Sequence, residues 1–210
     1  MTTLLLAGAT GLVGQSVLRL ALDDPRVARV VAPTRRALPG APKLDNPLVD
    51  FEHLPADAPW WAVDAVVCTL GTTIRAAGSP QAFRVVDHDY PLAVARLARQ
   101  HGAPTFVLTS ARGADPASRI LYNRIKGELE RDLAGCGFAS LTLVRPALIG
   151  GVRQASRPAE RLGQVVVGAL GPLLPRRWRI NPADHIARAL LDAAIGAAPG
   201  QRIVSSDALA

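Results

Sequence analysis

The chain has 210 residues, 49% hydrophobic and 20% charged, a composition that suits a folded domain with a sizeable core and excludes a disordered chain. Its apolar stretches break before the eighteen or so residues that cross a bilayer, and two cysteines, Cys68 and Cys136, are too few for a disulfide framework or a zinc cluster, so neither membrane nor metal is expected. A formal charge of +7 and a pI of about 10.6 favour anionic partners, yet the arginines are scattered and no basic run is interleaved with stacking aromatics, so nucleic acid is not an expected partner.

Taken in chain order, the N-terminal segment has neither a basic leader nor a small-residue cleavage site, and residues 3–7 read as a buried first strand. A glycine turn follows, then a helix over 12–23 and a second strand over 27–32. Residues 39–47 read as a loop and 47–49 as a weaker strand. Strands over 65–70, 105–109 and 140–144 alternate with helices over 81–101 and 116–134, the last with Asp115 as its N-cap and Pro116 as its first residue. This rhythm predicts the α/β class, a doubly wound parallel Rossmann sheet covered by helices on both faces. Beyond Val144 it weakens: 153–161 is polar and irregular, 162–170 a short helix, 170–175 a loop, and Asp184 an N-cap for a helix reaching Ile195. A single domain over 1–210 is expected, with residues from about 150 onward forming a small substrate-facing region. The two unpaired cysteines suggest a reducing, cytoplasmic setting.

The turn Gly8-Ala9-Thr10-Gly11-Leu12-Val13-Gly14 joins the first strand to the first helix. Its glycines let backbone amides approach a pyrophosphate, the helix N-terminus adds positive potential, and Gly14 permits close packing of helix on strand. Versions that bind NAD usually carry an acid at the end of the second strand. Here that strand runs into Ala32-Pro33-Thr34-Arg35-Arg36, whose two guanidiniums suit a 2′-phosphate, so NADP(H) is favoured over NAD(H).

Tyr122 and Lys126 stand four residues apart in a segment whose Leu121, Ile125 and Leu129 form an apolar stripe, so both side chains fall on one helical face. Lysine is scarce here: Lys43 and Lys126 are the two among 24 basic residues. A phenol titrates near 10, and a neighbouring ammonium lowers that value, which is what acid–base work at neutral pH requires. Thr109 and Ser110 end the preceding strand, at the sheet edge where open α/β folds bind ligands. Ser110 is placed to hold a substrate oxygen, although either hydroxyl could serve.

Together these features resemble the short-chain dehydrogenase/reductase superfamily, in its extended or atypical branch. Four stretches are similar to the Tat-interacting-protein group of oxidoreductase-like proteins: Cys68-Thr69-Leu70-Gly71-Thr72-Thr73, Val86-Asp87-His88-Asp89-Tyr90, Ser110-Ala111-Arg112-Gly113-Ala114-Asp115, and Arg153-Gln154-Ala155-Ser156-Arg157-Pro158-Ala159-Glu160. The resemblance implies that Gly8, Gly11 and Gly14 line the pyrophosphate and that Arg35 sits by the 2′-phosphate. It also implies that Leu70, Gly71 and Thr72 flank the adenosine, that Lys126 bonds the nicotinamide ribose, and that Pro146 borders the nicotinamide. Ser110, Tyr122 and Lys126 match the superfamily's catalytic trio. The expected activity is hydride transfer to or from a small carbonyl or alcohol. Some members of the group act as cofactor-binding regulators, which gives the alternative of an NADPH sensor with little turnover. The short C-terminal region counts against a large nucleotide-sugar substrate, and the sequence leaves an oligomer open.

Overall fold

Strict alternation along the first strand sends Leu4 and Leu6 into one hydrophobic core and Leu5 and Ala7 into another, so the sheet must be covered on both faces. The computed structural model, which describes residues 1–150 and 180–209, shows this arrangement. Seven parallel strands lie in the order β3-β2-β1-β4-β5-β6-β9, with β1 spanning Thr2–Ala7, β2 Val27–Val31, β3 Leu44–Asp45, β4 Ala65–Cys68, β5 Thr105–Thr109, β6 Ser140–Arg145 and β9 Gly200–Ser205. The connections leave β1 toward β2 on one side and return to β4 on the other. The C-terminal ends of β1 and β4 therefore flank the switch point at which open α/β sheets bind ligands.

One face carries α1 (Leu12–Asp23) and α6 (Ala183–Gly196), whose Val13, Val17, Ile186 and Leu190 pack on β1, β2 and β4. The other carries α4 (Tyr90–Gln100) and α5 (Leu121–Ala134), with Leu92, Val94, Leu129 and Leu133 meeting Leu5, Val66, Phe106 and Leu143. Two short helices, α2 (Ile74–Ala77) and α3 (Pro80–Arg84), follow β4, and β7 (Leu148–Gly150) pairs with β8 (Ile180–Pro182) outside the main sheet.

Several sequence expectations are corrected. The helix expected over 81–101 is interrupted: α3 runs into a π-helical turn, Val85–Asp89, before α4. Pro91 supplies the reason, since it has no N–H to give Asp87 and its ring would collide with that carbonyl, so the turn widens and Tyr90 N–H bonds Val85 O instead. Helix α5 begins at Leu121, not at 116. Asp115 closes a turn with Ala117 (2.9 Å) and Ser118 (3.0 Å), while its own N–H donates to Asn123 O (3.0 Å). That segment crosses α5 so closely that a Cβ on Gly127 would lie 2.2 Å from the Asp115 carbonyl carbon. The weak strand at 47–49 is displaced to β3, leaving a single bridge between Leu48 and Thr34. Asp184 lies in the first turn of α6, where it pairs with Arg19 at 3.1 Å, and Pro182 occupies the cap. Of the tail assigned to the substrate side, α6 and β9 complete the main fold, and β9 was not anticipated. The elements expected over 153–161, 162–170 and 170–175 lie outside the described residues.

Candidate active site

The glycine turn is built by steric necessity at two positions. Gly8 has φ +93°, and a Cβ there would stand 2.6 Å from Thr69 Oγ1 and 2.8 Å from the Thr69 carbonyl carbon. A Cβ on Gly14 would lie 2.0 Å from Gly8 O, so its absence is what seats α1 on β1. Helix α1 starts at Gly11 with no side-chain cap and no acid in its first turn, leaving its leading amides and its positive dipole end for an anion. Thr69, quoted in the Cys68–Thr73 stretch but given no role there, ties the two crossovers by bonding Ala7 O and Gly8 O at 3.1 Å each.

A cavity of about 450 Å³ opens at this switch point. Its lining brings together Gly11–Val13 from the first crossover, Thr69–Thr73 from the second, Thr109 and Ser110 from the end of β5, Tyr122 and Lys126 from α5, and Leu148 and Ile149 from β7. Most of the expected site residues thus share one concavity although they are distant in the chain. Arg35 and Arg36 lie exposed beyond β2, Thr10 is exposed in the turn, and Gly8, Gly14 and Pro146 stand behind the lining. Pro146 is buried, its carbonyl accepts from Arg112 N–H at 2.8 Å, and the adjoining Ala147 is fixed by fully buried Asn181, whose Oδ1 accepts from Ala147 N–H at 2.8 Å.

Lys126 is buried, and its Nζ pairs with Asp87 Oδ1 at 2.8 Å. The second Asp87 oxygen accepts from Thr72 N–H at 2.7 Å, so one carboxylate ties the lysine to the loop after β4. Gly71 leaves room for this, since a Cβ there would be 3.1 Å from Asp87 Oδ1 and 3.6 Å from Lys126 Nζ. Burial opposes the ammonium, but Asp87 and Tyr122 outweigh it and hold its pKa above the usual value. Asp87 had a place in the quoted Val86–Tyr90 stretch but no role. Its signal was an acid in a helix-length apolar segment four residues before a proline, the spacing that opens the π turn.

Tyr122 corrects an expectation. Burial pushes its phenol above the ordinary value; Lys126 pulls the other way and Asp87 opposes that pull only in part, so the net shift is upward. The ring also packs against Phe83, with centroids 5.7 Å apart. Ser110 is buried and its Oγ donates to Glu130 Oε1 at 2.5 Å, while Arg145 grips both Glu130 oxygens. Thr109 Oγ1, by contrast, is buried without a hydrogen-bond partner among the described residues. Cys68 lies beneath this region, fully buried, with a thiol pushed up to about 11 by burial, so it is not a nucleophile at neutral pH.

A parallel sheet with a glycine turn at its switch point is a Rossmann-type α/β fold, and the Tyr-Lys pair on the helix after β5 is the arrangement that the resemblance to short-chain dehydrogenases/reductases implies. No protein-family model matches the sequence. The chain is similar to the mitochondrial protein fmp52 of Aspergillus fumigatus, with 36% identity over 215 residues covering 95% of this chain and 90% of the relative. Protein HTATIP2 of Rattus norvegicus is 36% identical over 202 residues, covering 92% of this chain and 81% of its own. Among solved structures, MoeE5 in complex with UDP-glucose and NAD superposes with a TM-score of 0.73 at 16% identity, over 96% of this chain and 74% of that one, a likeness of fold. The chain belongs to the family that includes fmp52 and HTATIP2. These relatives overturn the cytoplasmic expectation: the fmp52 proteins of Aspergillus fumigatus, Emericella nidulans and Coccidioides immitis are named as mitochondrial. Two free thiols do not distinguish one compartment from another.

Proposed function

We propose that the protein is an NADP(H)-dependent oxidoreductase that moves a hydride to or from a small carbonyl or alcohol. The observation that supports this reading is one cavity shared by the uncapped N-terminus of α1, Tyr122 and the buried Lys126–Asp87 pair. The residues present fit a dinucleotide. Gly11, Leu12 and Val13 offer backbone to a pyrophosphate, and Leu70, Gly71 and Thr72 form the facing wall. Arg35 and Arg36 lie exposed beyond β2, where paired guanidinium donors suit a 2′-phosphate.

Bound there, the nicotinamide supplies or accepts the hydride. The chain's own work is proton transfer and alignment. Tyr122 Oη carries the proton that joins or leaves the substrate oxygen, and Lys126, held by Asp87, favours the phenolate side of that exchange. Leu148 and Ile149, both exposed, present apolar surface to the cavity, which suits a small substrate with an apolar body. The expected partner is therefore a small molecule.

A second reading, an NADPH-binding regulator with little turnover, is favoured by the raised pKa of Tyr122, which keeps the phenol protonated and makes it a reluctant base. One experiment separates the two. NADPH and NADH are titrated by fluorescence into the protein and into Arg35→Ala, and NADPH consumption is then followed with a panel of aldehydes and ketones, for the unaltered chain and Tyr122→Phe. Arg35→Ala should weaken NADPH by about tenfold or more and leave NADH unchanged. Turnover lost in Tyr122→Phe supports the enzyme. NADPH binding without turnover supports the regulator, and binding of neither dinucleotide overturns both.

A further inference from the structure

Strands β6 and β9 part company after the pair Arg145 and Ser205, where their register ends. Alternation gives Ala147 the next N–H on that edge of β6, and a side chain takes it in place of a strand. Asn181, the wholly buried middle residue of β8, accepts from Ala147 N–H through Oδ1 at 2.8 Å and donates from Nδ2 to Ser206 O at 2.9 Å. A carboxamide suits this fork because one branch needs an acceptor and the other a donor. Beyond it β7 stands outside the main sheet, paired with β8 so closely that a Cβ on Gly150 would lie 2.2 Å from Ile180 Cγ2.

What β7 offers the cavity is apolar. Leu148 and Ile149 line it while remaining 59% and 39% exposed. Two more exposed apolar side chains neighbour lining residues in the chain: Ile74 follows Thr73, and Ile120 comes two residues before Tyr122. Charge is scarce on the same surface. Among the described residues the charged side chains of the lining are Asp87 and Lys126, and each answers the other at 2.8 Å. The chain holds 24 basic residues, yet among those described Lys126 is the one in this lining. A substrate carboxylate or phosphate would lose its water there without meeting an unpaired cation among the described residues.

We propose that the substrate is an uncharged carbonyl compound, or the matching alcohol, with an extended apolar chain, that β7 is the surface that selects it, and that Asn181 is the positioning residue that holds β7 to the cavity. This rests on the oxidoreductase reading above and changes none of its steps: the hydride joins or leaves the carbonyl carbon, and the proton passes through Tyr122 Oη. The apolar chain lies on Leu148 and Ile149, where each methylene taken out of water adds to binding. Asn181 is not part of the lining. It acts through the backbone of Ala147, one residue before Leu148.

The test uses the full chain with NADPH and the straight-chain aldehydes from propanal to octanal. In the unaltered chain kcat/KM should rise by about threefold for each added methylene. Octanal should exceed the same chain carrying a terminal carboxylate by about tenfold or more. Leu148→Ser should flatten the rise to under about twofold per methylene. Asn181→Leu, which removes both hydrogen bonds at the fork, should lower Tm and raise KM for octanal by about tenfold, with a smaller change in kcat. Asn181→Ser carries the same comparison if leucine does not fold. A flat profile across the aldehydes, or a preference for the carboxylate, overturns the proposed substrate class and leaves the oxidoreductase reading standing. A Leu148→Ser variant that keeps the full rise overturns selection by β7, and a folded Asn181 variant with unchanged KM overturns the positioning role. An unaltered chain that binds NADPH and reduces no carbonyl overturns the oxidoreductase reading, and the proposal with it.

Discussion

The two walls of the cavity are made in opposite ways. The wall at the glycine turn is contiguous backbone: Gly8, Gly11 and Gly14 follow one another in seven residues, and Gly8 and Gly14 act by what they lack, a Cβ. The opposite wall is assembled from side chains. Asp87 comes from a π turn, Tyr122 and Lys126 from α5 and Ser110 from the end of β5, with Glu130 and Arg145 held behind Ser110. On the first wall the chain cannot leave its path without collision. On the second, two ion pairs share α5: the buried Lys126–Asp87 pair faces the cavity, and the partly buried Glu130–Arg145 pair takes up the hydroxyl of Ser110. Backbone walls tolerate charge changes and reject bulk, whereas charge-built walls behave the other way round.

The contrast can be broken most forcefully at Asp87. Asp87→Leu leaves the Lys126 ammonium buried and unpaired and removes the acceptor of Thr72 N–H. It should cost about 3–5 kcal/mol in urea unfolding, as breaking a buried pair from one side does. A loss under about 1 kcal/mol would show that the pair does not anchor this wall. Gly14→Ala tests the other wall by bulk alone. The added Cβ must displace the Gly8 carbonyl, for an expected loss of about 1–3 kcal/mol together with weakened dinucleotide binding, measured by thermal melting with and without NADPH. If the variant binds NADPH normally, close seating of α1 is not what shapes the turn.

The smallest effect is a titration. Tyr122 and Lys126 both have folded pKa values above their ordinary ones of 10.0 and 10.5, so the folded state retains protons that the unfolded chain has released. Their contribution is fully present below the unfolded values and is lost as pH rises past them, so stability should fall through the region above about pH 10. Tyr122→Phe removes one of the two groups and should make that fall shallower in equilibrium unfolding at stepped pH. An unchanged slope would mean that Tyr122 is not part of the coupled wall.

The sequence by itself determined the fold class, the switch-point turn and the helix face carrying Tyr122 and Lys126. Each of these depends on spacing along the chain: glycines three apart, apolar residues alternating by two, functional groups four apart on a helix. It placed the site residues on their elements and left Thr109 and Ser110 undivided. Only the tertiary structure decided which charges answer each other. Asp87 meets Lys126 because Pro91 forces a widened turn that carries an acid inward. Ser110 is drawn to Glu130 because the strand's alternation turns it toward α5, and α5 starts late because the Asp115 segment crosses over Gly127. The edge strand β9 was equally hidden, since four of its first five residues are exposed and carry no buried pattern to read. Local periodicity is a one-dimensional signal. The pairing of side chains 39 residues apart, as between Asp87 and Lys126, follows from three-dimensional packing and leaves no period in the chain.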